Sequence, residues 1–275
     1  MDIGHRTPLV DAFRRGDVAR DVRLSAARGA LAPRASEQLA LLVLLCRDDD
    51  HEVAGAARAT LGRIAPERLR ATAQAPDTPS DIREFLQATG LLGSGGTGTS
   101  PDDHPLYEDE SEPLPDIALD EGQSAEPPAH EDVTHAQRPR PVQLSTLPVI
   151  DRLRIAMRGT REQRAVLIRD PNKLVAMAVL SSPRLSENEV EGFARMPVVA
   201  EDVLRVIASN RAWMRNYTIL VGLARNPKTP PAVALPLVPR LNERDLRALS
   251  MDRNVPEGLR ITARKLVVAA ESRRK

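Results

Sequence analysis

The sequence predicts an all-α protein in which two lobes of short stacked helices are joined by a disordered acidic linker. Of the 275 residues, 41% are hydrophobic but only 2% are aromatic, so the cores must consist of Ala, Leu, Val and Ile. This mixture favours helices, because strands are enriched in aromatic and β-branched residues. Helix-start signals also recur at short intervals on both sides of a central segment rich in Gly, Pro and acids.

The linker and the charge distribution divide the chain into a first lobe, residues 1–92, and a second lobe, residues 144–275. Residues 93–143 hold eight prolines and 12 acidic against 2 basic residues. Such a segment buries too little apolar surface to offset its ordering entropy, which predicts disorder. The first lobe has 13 basic and 13 acidic residues, and the second has 24 and 13, a net charge of +11. An apolar island at 114–120 is either a docking motif or incidental.

The predicted helix starts are about 13 to 15 residues apart in the first lobe and about 12 to 16 apart in the second. They fall near Ser36, His51, Pro66, Pro79, Thr160, Asn172, Ser186, Ala200, Asn216, Thr229, Asn242 and Val255. A helical unit this short cannot bury its apolar face alone. We therefore expect neighbouring units to stack around a shared core.

Capping patterns support several of these helix starts. Thr160 and Ser186 are each followed three residues later by Gln or Glu, which is the capping-box pattern. Thr78 and Thr229 each precede a proline, which predicts a cap residue followed by proline at the first helical position. The three aspartates at 48–50 are expected to cap the next helix, the alternative being a metal cluster.

One motif in the second lobe resembles a known helical repeat. Residues 225–233, Arg-Asn-Pro-Lys-Thr-Pro-Pro-Ala-Val, resemble the Asn-Pro-x-Thr-Pro-x-x-Val/Leu signature of leucine-rich repeat variant units, which are relatives of the armadillo and HEAT class. Residues 252–259 and 75–82 resemble degenerate copies, and residues 48–53 are similar to a HEAT-type turn. The resemblance implies an α-solenoid and no particular activity. One member type carries an iron-sulfur cluster, but the single Cys46 departs from its cysteine-rich pattern.

Catalytic, cofactor and metal motifs have no support in the sequence. The glycine-rich residues 93–100 lack the Lys and the following helix of a phosphate-binding loop. His130 and His135 would lie about 140° apart on a helix, whereas a helical zinc pair needs a spacing of four residues. Cys46 lies in an apolar run and is predicted to be a buried structural thiol. No residues indicate a Ser-His-Asp triad, so we expect a non-enzymatic protein without cofactor or metal.

The surface predicted to bind a partner lies around residues 210–217, Asn-Arg-Ala-Trp-Met-Arg-Asn-Tyr. These residues include the only Trp and one of two Tyr in the chain, together with two arginines. Trp, Tyr and Arg are enriched at interaction hot spots. The alternative interpretation places Trp213 and Met214 in the core. The predicted partner-binding residues are Arg211, Trp213, Arg215, Tyr217, Arg225 and Lys228.

These features favour a protein-interaction scaffold, because solenoids bind extended partners along one surface. Nucleic-acid binding through the basic second lobe is the alternative hypothesis. It is weakened because the basic residues are spread over many units and Arg outnumbers Lys 35 to 4, which is typical of a GC-rich coding sequence. An enzyme with a hidden site is the third hypothesis. Residues 1–20 carry charges throughout and no apolar run is long enough to span a bilayer, which predicts a cytoplasmic protein without membrane insertion.

Overall fold

The structure of the chain is a computed structural model, and it describes five ranges of residues. These are residues 7–31, 33–75, 78–92, 104–108 and 144–272. Within them lie fifteen α-helices, three 3-10 segments and no strand, which confirms the all-α prediction. The α-helices are α1 (Pro8–Arg15), α2 (Arg20–Ala27), α3 (Ala35–Leu45), α4 (His51–Arg63), α5 (Pro66–Gln74), α6 (Ser80–Ala88), α7 (Val149–Arg158), α8 (Arg161–Leu167), α9 (Lys173–Leu180), α10 (Glu187–Arg195), α11 (Glu201–Ser209), α12 (Tyr217–Arg225), α13 (Pro231–Ala234), α14 (Glu243–Met251) and α15 (Glu257–Ser272). The 3-10 segments are Leu144–Thr146, Trp213–Arg215 and Leu235–Arg240.

Every predicted helix start lies within two residues of an observed one. Three helices, α1, α2 and α7, were not predicted. The N-cap residues of α2 and α7 are Ala19 and Pro148, and neither makes a side-chain capping hydrogen bond. Helix α1 does have a signal, since Thr7 accepts a hydrogen bond from the Val10 N–H and Pro8 occupies the first turn.

The predicted capping boxes are present. The Thr160 hydroxyl accepts the Gln163 N–H, and the Gln163 side chain accepts the Thr160 N–H in return. Ser186 and Glu189 make the equivalent pair at α10. The predicted capping role is confirmed for Asp50, which accepts the Glu52 and Val53 amides in the first turn of α4, whereas Asp48 accepts the Asp50 N–H before the helix.

The predicted capping roles of Thr78 and Thr229 are wrong. Each of the two helices begins two residues after its threonine, and the N-cap residues are Pro79 and Pro230. Both threonines are buried instead. The Thr78 hydroxyl donates to the Thr72 carbonyl at 2.5 Å, which satisfies an acceptor at the end of α5.

Helices two apart in the chain pack against each other along most of the second lobe. Helix α7 packs on α9, α8 on α10, α9 on α11 and α10 on α12. The lobes also contact each other, because α1 packs on α9 and α2 packs on α7. The buried apolar side chains of the described residues form one cluster through both lobes.

Asn226, from the motif that resembles a repeat signature, ties adjacent units together. Its side-chain Nδ2 donates to the carbonyls of Ala194 (2.8 Å) and Met196 (3.0 Å), while Oδ1 accepts the Lys228 N–H at 3.0 Å. Asn226 is 2% exposed. Asn226 lies in the turn after α12, and its side chain therefore supplies hydrogen-bond donors to carbonyls at the C-terminal end of α10.

A buried ion pair links α8 to α10. Arg164 donates from Nε and Nη2 to the two carboxylate oxygens of Glu189, at 2.9 and 3.0 Å. Burial alone would raise the pKa of Glu189, but hydrogen bonds from Arg164 and Ser186 hold the pKa of this carboxyl below its usual value. The pair stabilises the stacking of the two helices only while both partners are charged.

Cys46, at the end of α3, is buried as predicted, and burial raises the pKa of its thiol. None of the described helices combines the length and the apolarity that a membrane crossing requires.

Candidate functional site

The residues predicted around Trp213 divide between the core and the surface. Trp213 and Met214 lie in a 3-10 turn between α11 and α12, and each is 8% exposed. Arg240 donates from Nη2 to the Met214 carbonyl at 2.8 Å and holds this turn. Arg211 and Arg215 are exposed. These positions match the alternative interpretation, in which the apolar side chains pack and the arginines are solvated.

Trp213 reaches a cavity of about 240 Å³ where the two lobes meet. First-lobe residues in its wall include Thr7 and the buried Glu37, and second-lobe residues include Ser181 and Asn210. The Asn210 Oδ1 accepts a hydrogen bond from the backbone N–H of Trp213 at 3.3 Å. The tryptophan therefore contributes to packing near the lobe interface.

Tyr217 is partly exposed, but its hydroxyl is used within the fold. The hydroxyl donates to Asp245 Oδ2 at 2.6 Å and accepts the Asn242 N–H at 3.0 Å. Burial and the Asp245 carboxylate together raise the pKa of Tyr217. This side chain fastens α12 to the beginning of α14.

Arg225 and Lys228 are both exposed, on a different part of the second lobe. Arg225 lies 3.8 Å from Asp252 and lines a shallow cavity of about 290 Å³ with Arg195 and Gly222. The structure thus places Trp213 and Arg225 at two different cavities, and Tyr217 against a neighbouring helix. The six predicted residues do not converge on one pocket among those described.

A more complete site lies on the first lobe, where residues 104–108 pack against it. We call these residues, His-Pro-Leu-Tyr-Glu, the docked segment. Leu106 is 2% exposed, Pro105 is buried and Tyr107 is half-buried. The predicted disorder is therefore wrong for these five residues, because their apolar side chains find a surface to cover. The rest of 93–143, including the island at 114–120, lies outside the described residues.

Gln38, on α3, pairs with the main chain of the docked segment. The Tyr107 N–H donates to Gln38 Oε1 at 2.9 Å, and Gln38 Nε2 donates to the Tyr107 carbonyl at 2.5 Å. The side-chain amide thus pairs with both the donor and the acceptor of one peptide residue, as a main-chain group of a neighbouring segment would. Gln38 is 1% exposed, so the docked segment satisfies an amide that is otherwise enclosed by the core.

Arg68, on α5, contacts two further main-chain groups. Its Nη1 donates to the Leu106 carbonyl and its Nη2 to the Pro105 carbonyl, both at 2.8 Å. The planar guanidinium presents its donors in a fixed fork, and here the fork contacts two consecutive carbonyls of the docked segment. Together, Gln38 and Arg68 hold four main-chain groups of the docked segment.

The Tyr107 ring lies against Gly29, in the turn after α2. Gly29 has a φ of 84°, and a Cβ placed on it would be 2.4 Å from the ring carbon Cδ1. Glycine therefore permits both the turn and the close approach of the ring. Arg63, at the end of α4, donates to the Tyr107 hydroxyl at 3.3 Å. We call the surface formed by Gly29, Gln38, Arg63 and Arg68 the groove.

A cavity of about 600 Å³ adjoins the groove at the boundary between the lobes, and we call it the arginine cleft. Its wall contains Arg63 and Arg68 from the first lobe, Arg184 from the second, and His104 and Glu108 from the two ends of the docked segment. Three guanidinium groups and one carboxylate give this cleft a positive charge. Its chemistry suits an anionic group.

No protein family model matches this chain. No curated protein and no solved structure has significant similarity to it either. The resemblance to leucine-rich repeat variant units thus stays a prediction. The function has to be inferred from the geometry of the groove.

The docked segment and the groove were not predicted from the sequence. A signal was present, because Tyr107 is the only aromatic residue in 93–143 and follows Pro105 and Leu106 directly. Gln38 and Arg68 have no such signal, since one falls within an apolar helix and the other among many arginines. Only their position in the fold brings them together.

Proposed function

We propose that this protein is a non-enzymatic interaction scaffold that binds a short peptide segment of a protein partner in the groove. In this proposal the stacked helices form an α-solenoid of the HEAT or leucine-rich repeat variant type, and the docked segment occupies the place of the partner. The observation that supports it is the set of hydrogen bonds from Gln38 and Arg68 to four main-chain groups of the docked segment.

Contacts of this kind are typical of peptide recognition. Hydrogen bonds to the main chain give affinity for any extended peptide, while pockets for individual side chains give specificity. Here Leu106 is enclosed and the Tyr107 ring lies on a glycine that leaves no room for a Cβ. The preferred partner sequence is therefore an apolar residue followed directly by an aromatic residue.

The docked segment competes with such a partner, since it is part of the same chain. Tethered ligands commonly have effective concentrations of about 1 mM. If the segment binds the groove with a Kd of about 10 μM, this competition weakens the apparent affinity for a free peptide about 100-fold. The scaffold then responds only to partners that bind more tightly or are locally concentrated.

The experiment uses a full-length variant, the vacated chain, in which residues 101–112 are replaced by a Gly/Ser sequence of equal length. A fluorescent peptide with the native sequence of 101–112 is titrated against it and monitored by anisotropy. We expect micromolar binding to the vacated chain and at least 30-fold weaker binding to the wild-type chain, by the competition given above. Equal, weak binding to both chains would refute the proposal.

Two substitutions in the vacated chain provide the control. Arg68→Gln removes the fork that holds two peptide carbonyls and should lower affinity at least 10-fold. Arg83→Gln is the matched control, because Arg83 also donates two hydrogen bonds to a carbonyl, that of Thr78, away from the groove. Light scattering completes the test, since a wild-type dimer that dissociates in the vacated chain would identify a second copy as the occupant.

Nucleic-acid binding is the second candidate, and the net charge of +11 on the second lobe favours it. Many of these basic groups already have acidic neighbours. Lys173 lies 2.7 Å from Asp202, Arg247 lies 2.7 Å from Glu243, and Arg205 contacts Glu201. The net charge of +11 already includes these pairs, so they do not decide between a protein and a nucleic-acid partner; titration of the chain with DNA at about 50 and about 200 mM salt does.

A further inference from the structure

All five residues of the docked segment line the arginine cleft, including its C-terminal residue Glu108. Glu108 follows Tyr107 in the chain and lines the cleft together with Arg63, Arg68 and Arg184. All three arginines are exposed. A peptide that runs through the groove in the same direction as the docked segment would therefore deliver its next residues to a cluster of positive charges.

The second lobe holds Arg184 in place for this role. The loop between α9 and α10 is fixed by Ser182, whose buried hydroxyl donates to the Met157 carbonyl at 2.8 Å and accepts the Arg184 N–H at 3.3 Å. The Arg184 side chain itself donates from Nη1 to the Arg158 carbonyl at 2.8 Å. The guanidinium has five N–H donors, so this anchored side chain retains donors for a ligand.

The chain's own sequence has the matching charge pattern. Residues 108–112 read Glu-Asp-Glu-Ser-Glu and follow the Pro-Leu-Tyr of the docked segment without interruption. Carboxylates and guanidinium groups form short, charge-assisted hydrogen bonds that are often bidentate. Opposite charges at the edge of an interface also raise the association rate and fix the direction of binding.

We infer that the groove takes a partner peptide with acidic residues directly after its apolar-aromatic anchor, and that the arginine cleft, completed by Arg184, binds those acids. The inference rests on the proposed function and names its partner class. It also assigns the second lobe a part in the site, because neither lobe alone provides all three arginines.

The experiment compares two fluorescent peptides on the vacated chain. One has the native sequence of 101–112, and in the other Glu108, Asp109, Glu110 and Glu112 are replaced by Gln or Asn. Because exposed ion pairs each change affinity by about two- to five-fold, we expect the neutral peptide to bind about 10-fold more weakly at 50 mM salt. The difference should shrink to less than about two-fold at 500 mM salt, where exposed charges are screened.

Arg184→Gln in the vacated chain tests the role of the second lobe. It should weaken binding of the acidic peptide about three- to five-fold and leave binding of the neutral peptide unchanged. Arg161→Gln, at an exposed second-lobe arginine that is not part of the cleft wall, is the control and should change neither.

The outcomes separate the two proposals. Equal affinity of both peptides, or an equal loss for both on Arg184→Gln, overturns the inference while the groove remains a peptide site. Failure of both peptides to bind overturns the inference together with the proposed function. A 12-base DNA strand is the last competitor, added at the same total concentration of negative charges as the acidic peptide. If it displaces the acidic peptide from the vacated chain but binds less well after Arg184→Gln, the cleft is a general anion site and the inference is overturned.

Discussion

Replacing Gly29 with Ala should release the docked segment while the helices remain folded. Gly29 has a φ of 84°, and the left-handed conformation costs an L-residue about 1–2 kcal/mol. The new Cβ would also lie 2.4 Å from Tyr107 Cδ1 and 2.8 Å from Cε1. Since carbon atoms pack at about 3.5 Å or more, the ring must move by about 1 Å or leave. Gly16→Ala is the matched control, because Gly16 has a φ of 75° but nothing within 4 Å of a Cβ.

The assay is chymotrypsin cleavage after Tyr107 under native conditions, followed by mass spectrometry. Loss of the Tyr107 packing should weaken docking by about 1.4 kcal/mol, which is about half of the largest free energy expected for full burial of a side chain of this kind, because the ring is half-buried. This corresponds to cleavage about 10-fold faster than in the wild-type chain. Gly16→Ala should change the rate less than about two-fold, although both variants lose about 1–2 kcal/mol of unfolding free energy to backbone strain. Equal cleavage rates in the two variants would refute the placement of the ring on Gly29.

Three further predictions concern the helical stack. Glu189→Gln leaves the Arg164 charge buried without its carboxylate and should lower the free energy of unfolding by about 3–5 kcal/mol in urea titrations. Because folding lowers the pKa of Glu189, its stabilisation is fully present above the usual carboxyl pKa of about 4.3 and is lost as pH falls through the lower folded value. The stability difference between wild type and Glu189→Gln should therefore be constant near neutral pH and shrink below about pH 4, and a difference unchanged at pH 3 would contradict this. Asn226→Ala leaves buried carbonyls without donors and should lower the free energy of unfolding by about 2–3 kcal/mol. Asn254→Ala, at an exposed turn position, is the control and should lower it by about 0.5 kcal/mol or less. Similar melting temperatures for the two variants would show that the Asn226 hydrogen bonds to α10 contribute little.

The helix order was predictable because the signals for it are local. A cap residue such as Ser186 acts on amides within its own turn, so the pattern of residues nearly determines where α10 begins. The Thr-Pro prediction failed at Thr78 for a related reason. That hydroxyl is used by the end of the preceding helix, and the sequence pattern alone does not distinguish a donor to Thr72 from a cap for α6.

The site was much harder to predict because its parts are distant in the chain. Gln38 and Tyr107 are separated by 69 residues, and Arg68 and Leu106 by 38. The sequence shows where aromatic and basic residues cluster, and this clustering predicted a partner-binding surface around Trp213. That tryptophan is buried, however, because a chain with so few aromatic residues uses its largest side chain for packing. Tyr107, the only aromatic residue of 93–143, was the better indicator of the candidate site, because its ring packs in the groove.

The packing of α1 on α9 has a consequence for how the chain folds. Residue 8 begins α1 and residue 173 begins α9, so this contact closes a loop of about 165 residues, whereas contacts such as α7 on α9 join neighbours in sequence. Closing so long a loop costs entropy before any contact stabilises it, and long-range contacts slow folding. Each lobe should therefore collapse early on its own local contacts, and the two should join in a later, slower kinetic phase. The arginine cleft, which draws on both lobes, exists only after that phase, while the groove on the first lobe is formed before it.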